Sequence, residues 1–173
     1  MTEMITAEEW RAYCEWTETT AVYPQERARE YLALGLVGEL GEVANLMKKE
    51  IRNGDDLRCA ITDELGDVLW YVAQLEQTQV HPDHRSHPHL IFKERRACGA
   101  NSRNKNFVMM LDDAVYTLES MYRFEGVHHR TLGGMRNQAL TWINDYYDLP
   151  AILAANRSKL EARKRSGELK AHE

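Results

Sequence analysis

The feature that most constrains this chain is an acidic doublet repeated inside two helical patterns. Gly38-Glu39-Leu40-Gly41-Glu42-Val43 is answered by Asp63-Glu64-Leu65-Gly66-Asp67-Val68. Residues three apart lie on nearly one face of a helix, so Glu39 projects with Glu42, and Glu64 with Asp67. In the first segment Leu32, Leu36, Leu40, Val43 and Met47 form an apolar stripe; in the second Ile61, Leu65, Val68, Val72 and Leu75 do the same. At about 100° per residue, each acidic pair falls roughly 60° and 120° to the same side of its stripe. The two pairs thus occupy equivalent shoulders. Between them, Ile51-Arg52-Asn53-Gly54-Asp55-Asp56 offers a glycine for a helix C-terminus and aspartates for the next N-cap. So short a connection favours an antiparallel hairpin.

If the stripes pack together, Glu39, Glu42, Glu64 and Asp67 converge beside the seam, where uncompensated negative charges repel. A hard divalent cation relieves this. Ligation by carboxylates alone, without His or Cys, points to Mg²⁺ or Mn²⁺ rather than Zn²⁺. Acidic residues mostly solvate helix flanks, and one pair alone would be read that way. Duplication at matched phase favours a site. Glycines at 35, 38, 41 and 66 each cost a helix interior about 1 kcal/mol relative to Ala, which suggests close backbone approach near the pairs.

Toward the N-terminus, Thr6-Ala7-Glu8-Glu9 has the form of a capping box. It opens a first helix lined by Trp10, Tyr13, Cys14 and Thr17, ending before Tyr23-Pro24. That aromatic stripe reads as core in preference to a nucleobase wall. The second helix is expected from near Gln25 to Arg52, and the third from Asp56 to Gln79, stopped by His81-Pro82. On the second, Lys49 lies on the carboxylate side; it is a candidate phosphate contact, or a cation favoured by the helix C-terminus. On the third, Trp70 projects away from the stripe and needs a second packing surface or a partner chain.

His81, His84, His87 and His89 lack metal-site spacing and read as a polar loop, overlapped by a basic stretch from Arg85 to Lys105. A fourth helix is expected over 107–124, and a further one after Gly133-Gly134 carrying Met135, Ala139, Trp142, Ile143 and Tyr146. Glu125 and His128 have the spacing of half a di-iron motif, which Gly126 and the lack of a second half argue against. Pro150 suits the start of a last helix, where Asn156, Lys159 and Arg163 recur on one face.

Leu34-Gly35-Leu36-Val37-Gly38-Glu39-Leu40-Gly41-Glu42-Val43, Lys48-Lys49 and Asp63-Glu64-Leu65-Gly66-Asp67-Val68-Leu69-Trp70-Tyr71 together resemble the MazG-like all-α nucleoside triphosphate pyrophosphohydrolases. Their signature of an ExxE pair followed by an ExxD pair is matched by Glu39/Glu42 and Glu64/Asp67. Asn156-x-x-Lys159-Leu160-x-x-Arg163 resembles the closing motif of the same family, whose Asn and Lys help hold the phosphates. The similarity covers Thr19 to Gln77 and then Ile143 to Gly167.

The resemblance implies one all-α MazG-like domain over residues 1–173, an antiparallel hairpin core extended to a four-helix-bundle-like fold. Residues 78–141 read as an insertion-like region with a basic, His-rich loop and extra helix, and 164–173 as a flexible tail. The implied reaction is Mg²⁺-dependent hydrolysis of nucleoside triphosphates at the α–β phosphoanhydride, with Glu39, Glu42, Glu64 and Asp67 as metal ligands and Lys49, Asn156 and Lys159 as phosphate contacts. Alternatives are a narrower specificity, for dUTP, dCTP or phosphoribosyl-ATP, and a catalytically silent metal-binding scaffold or regulator. A homodimer or higher homo-oligomer is expected, as in the family.

Composition narrows the setting. A net charge of -5 disfavours a general nucleic-acid binder. Three dispersed cysteines suit free thiols in a reducing cytoplasm better than a disulfide framework. The N-terminus shows no apolar signal core, and the run from Tyr31 to Val37 is too short to span a bilayer.

Overall fold

The computed structural model of the chain describes residues 5–78, 102–123 and 129–169. The described residues form an all-α protein: α1 (Ala7–Glu18), a 3-10 turn (Gln25–Arg27), α2 (Ala28–Asn53), α3 (Arg58–Thr78), α4 (Ser102–Arg123), α5 (His129–Tyr146) and α6 (Leu149–Ser166). None of the described helices is long and apolar enough to cross a membrane. Two compact units divide the chain, one formed by Ile5–Thr78 with Pro150–Glu173, the other including residues 102–149.

In the first unit, α2 and α3 form the expected hairpin. Leu32, Leu36, Leu40, Val43 and Met47 are buried on α2, as are Ile61, Leu65, Val68, Val72 and Leu75 on α3. Full burial of each such side chain is worth about 1.5–3 kcal/mol, which is what locks the two stripes together. Gly54 terminates α2 at φ 76°, a left-handed conformation that costs glycine little. Beyond it, Glu50 accepts from the Leu57 N–H and Asp56 from the Arg58 N–H, so α3 starts two residues later than expected.

The capping box on α1 is formed: Thr6 Oγ1 accepts from the Glu9 N–H, and Glu9 Oε2 accepts from the Thr6 N–H. Trp10, Tyr13, Cys14, Trp16 and Thr17 are buried, and α1 packs on α3. The outward-facing Trp70 finds its second surface within the chain. Thr20 Oγ1 accepts from Trp70 Nε1 at 2.8 Å, and the Tyr23 ring meets Trp70 edge-on at 6.3 Å. Gln74 fixes the same segment, accepting from the Tyr23 hydroxyl and donating to Thr17 Oγ1, both at 2.6 Å. These side-chain bonds tie the last turn of α1 and the residues just beyond it, through Tyr23, to α3. The 3-10 turn at 25–27 then delays α2 relative to the expected start.

In the second unit α4 packs on α5. Both helices begin earlier than expected. The Arg103 carbonyl accepts from Trp142 Nε1, and Phe107 packs on the Trp142 ring at 5.3 Å, anchoring the first turn of α4. Helix α5 runs through Gly133-Gly134; the buried Leu132 and Met135 on either side offset the propensity cost of two glycines. The histidine cluster at 81–89, most of the basic stretch, and Glu125 and His128 lie outside the described residues.

Candidate metal and phosphate site

The hairpin register sets the site. Gly35 faces Tyr71, and four residues on, Glu39 lies beside Asp67, while Glu42 lies beside Glu64. Each step of about one turn along α2 is matched by one turn back along α3, as antiparallel packing requires. A β-carbon at Gly35 would fall on the Tyr71 ring, so this glycine admits the side chain that closes one end of the site.

Carboxylate oxygens of Glu39, Glu64 and Asp67 all lie within 4.8 Å of one another. All three residues are partly buried. Glu42, the fourth acid singled out in the sequence, is exposed and stands outside this compact group, though near enough to act on its charge. Burial, then Asp67, Glu42 and Glu64, push the Glu39 carboxyl up to about 7, opposed by Lys159. Glu64 is also raised, by burial and then Glu42 and Asp67. Both shifts record negative charge that the chain's own cations offset only in part.

Helix α6 supplies what the hairpin lacks. Asn156 Nδ2 donates to Asp67 Oδ1 at 2.8 Å, and Lys159 Nζ donates to Asp67 Oδ2 at 2.6 Å. One residue therefore serves each oxygen of Asp67. Asn156 is buried, its own Oδ1 accepting from the Tyr13 hydroxyl at 2.9 Å. Its side chain rests against Gly66, where an added β-carbon would lie 3.0 Å from Asn156 Cβ and 3.1 Å from Nδ2. Lys164, one turn beyond Leu160, donates to the Thr19 carbonyl and Arg157 lies over the Trp16 ring, fastening α6 to the α1 end of the unit.

Lys49, on α2, makes no hydrogen bond or ion pair to these carboxylates among the described residues, and Arg163 is exposed near the end of α6. Two groups escaped the reading of the sequence. The Tyr13 hydroxyl reaches Asn156 across 143 positions of sequence, a contact that no spacing signals. The seat that Gly66 makes for Asn156 was signalled by a glycine within a helix, without its partner being legible.

The donor set fits a hard divalent cation. Three carboxylate oxygens from two helices give oxygen-only ligation, and the raised Glu39 and Glu64 mark the negative charge such an ion neutralises. Tyr71 borders this cluster, its hydroxyl pushed up by burial and by Tyr31, whose ring lies 6.4 Å away.

The family model for the MazG nucleotide pyrophosphohydrolase domain matches residues 27–82. The Gene 37 protein of Mycobacterium phage L5 is 45% identical over 67 residues, a match covering 32% of this chain and 59% of the phage protein. No solved structure matches. The matched stretch holds all four acids of the paired motif, whereas Tyr13, Asn156 and Lys159 lie beyond it. The stretch over residues 27–82, which includes the helical hairpin carrying Glu39, Glu42, Glu64 and Asp67, is therefore similar to the MazG nucleotide pyrophosphohydrolase domain.

Proposed function

We propose that the protein hydrolyses nucleoside triphosphates at the α–β phosphoanhydride, with Mg²⁺ or in its place Mn²⁺, releasing a nucleoside monophosphate and pyrophosphate. The observation that carries this reading is the meeting of Glu39, Glu64 and Asp67 oxygens within 4.8 Å across α2 and α3. The choice of bond rests on the family description.

Glu39, Glu64 and Asp67 would hold the ion, with Glu42 on the exposed rim as a further ligand. When bound, such an ion neutralises phosphate oxygens and makes a coordinated water more acidic. The chain's part is to keep the carboxylates apart from bulk water and in fixed orientation. Asn156 and Lys159 do this for Asp67. Lys159, partly exposed, can turn from Asp67 to a phosphate oxygen, and Lys49 is the other candidate phosphate contact; Asn156, expected from the sequence to touch phosphate, is buried with both ends of its amide engaged and acts through Asp67 instead. A carboxylate of the cluster accepts a hydrogen bond from the attacking water and orients it in line with the leaving pyrophosphate. Large apolar side chains exposed on α2, Tyr31, Leu34 and Val37, support a homodimer or larger homo-oligomer as the working form.

The test is pyrophosphate release from a panel of canonical, deoxy and modified nucleoside triphosphates with Mg²⁺, beside Glu64→Gln and Glu42→Gln. Release by wild type, with loss of at least a hundredfold in Glu64→Gln, is expected. Orthophosphate as the primary product would refute the choice of bond. A folded wild type that binds Mg²⁺ and cleaves nothing would favour a silent metal-binding scaffold.

A further inference from the structure

The Tyr13 ring is packed between tryptophans, 5.7 Å from Trp10 and 5.5 Å from Trp16, and is buried on α1. A phenylalanine would fill that space equally well. What the hydroxyl adds is its bond to Asn156 Oδ1. Asp67, when ionised, can only accept, so the Asn156 amide must present its NH₂ to Asp67 and its oxygen to Tyr13. This makes the Tyr13 hydroxyl the donor at the head of a chain running Tyr13 to Asn156 to Asp67, in which each bond polarises the next. From the other side, Gly66 leaves only enough room for the Asn156 side chain. The amide is thus held by a hydroxyl from α1 and a bare backbone from α3.

We propose that Tyr13 is a positioning residue of the carboxylate site: acting through Asn156, with Gly66 as the seat, its hydroxyl fixes the orientation in which Asp67 meets a divalent cation. This rests on the reading of the carboxylate cluster as a metal site. Tyr13 touches neither cation nor substrate; it limits the rotation of the amide that holds Asp67 Oδ1. Removing partners that orient a metal-ligating group typically costs about 10–100-fold in metal affinity or activity. Tyr13 acts one bond further out, so a loss of about three- to tenfold is expected.

The experiment is a Mn²⁺ titration of the full chain without nucleotide, comparing wild type, Tyr13→Phe, Asn156→Leu and the double variant, with thermal melts alongside. Tyr13→Phe should weaken Mn²⁺ binding about three- to tenfold, and should have no further effect in the Asn156→Leu background. Gly66→Ala, which presses on Asn156 from the opposite side, should weaken Mn²⁺ binding in the same direction, and it decides the matter if Asn156→Leu fails to fold. Wild-type affinity in both Tyr13→Phe and Gly66→Ala would overturn the proposal while leaving the metal site intact. A loss in Tyr13→Phe that persists undiminished in the double variant would also overturn it, because the hydroxyl would not then act through Asn156. A wild type that binds no Mn²⁺ would instead sink the metal-site reading, and this proposal with it.

Discussion

Neutralising Glu39 should stabilise the metal-free protein while abolishing its use of metal. The carboxyl is pushed up to about 7 from an ordinary 4.5, chiefly by burial and then by Asp67, Glu42 and Glu64. Between those two values the folded state keeps a proton that the unfolded state has lost. Stability therefore declines as pH rises through that window and stays depressed above it. Undiminished, a displacement of that size would amount to roughly 3 kcal/mol. Glu39 is only partly buried and solvent screens much of the interaction, which reduces the expected contribution to about 1–2 kcal/mol. Gln carries no charge at any pH and should escape this loss. Urea unfolding in the presence of a chelator, at pH 5 and pH 8, measures both proteins. The variant should gain about 1–2 kcal/mol over wild type between the two pH values, with Glu64 contributing a common slope of the same sign to both. Equal pH dependence in the two proteins, or a Glu39→Gln less stable than wild type at pH 8, would refute the argument that the cluster carries unrelieved negative charge.

Two other substitutions test the neighbouring contacts. Lys159→Met removes the cation 2.6 Å from Asp67, which should tighten Mg²⁺ binding by the nucleotide-free protein severalfold yet raise the KM for nucleotide; calorimetry and steady-state kinetics read the two effects, and movement in the same direction would refute the double role. Gly35→Ala should destabilise the fold by about 1–2 kcal/mol, because the clash with the Tyr71 ring exceeds the gain of about 1 kcal/mol in helix propensity, whereas Gly38→Ala, with open space around its β-carbon, should keep that gain; thermal melts compare them.

What was legible in the sequence follows from how local the cause was. The hairpin's stripes, the Gly54 terminus and the Thr6–Glu9 cap each depend on residues within a few positions of one another, and each lies where the pattern placed it. The paired acids were legible for the same reason, and the hairpin brings Glu39, Glu64 and Asp67 together while Glu42 remains outside the compact group. Long-range contacts were less accessible. The twin glycines of α5 suggested a boundary because propensity alone counts against them, but buried neighbours on both sides prevailed. Trp70 could be recognised as needing cover, yet only the folded chain shows Thr20 and Tyr23 providing it. Asn156 and Lys159 were candidates by resemblance, but their shared grip on Asp67 spans about ninety positions and leaves no periodic trace.

That grip explains why a hairpin of paired acids is not a complete site. Helices α2 and α3 can bring Glu39, Glu64 and Asp67 together, but their mutual repulsion favours side-chain rotamers that point apart unless something holds them. The remedy comes from α6, beyond the stretch that the family model matches. Lys159 contributes charge, and Asn156 contributes direction because both ends of its amide are engaged. Charge alone would leave Asp67 free to rotate about its bond to the lysine; direction alone would leave the cluster's repulsion unopposed. Because both come from one helix, three residues apart, docking α6 against α1 and α3 sets them together. The convergence of the three carboxylates in the metal-free protein should therefore rise and fall with the docking of α6, even though α6 contributes none of them.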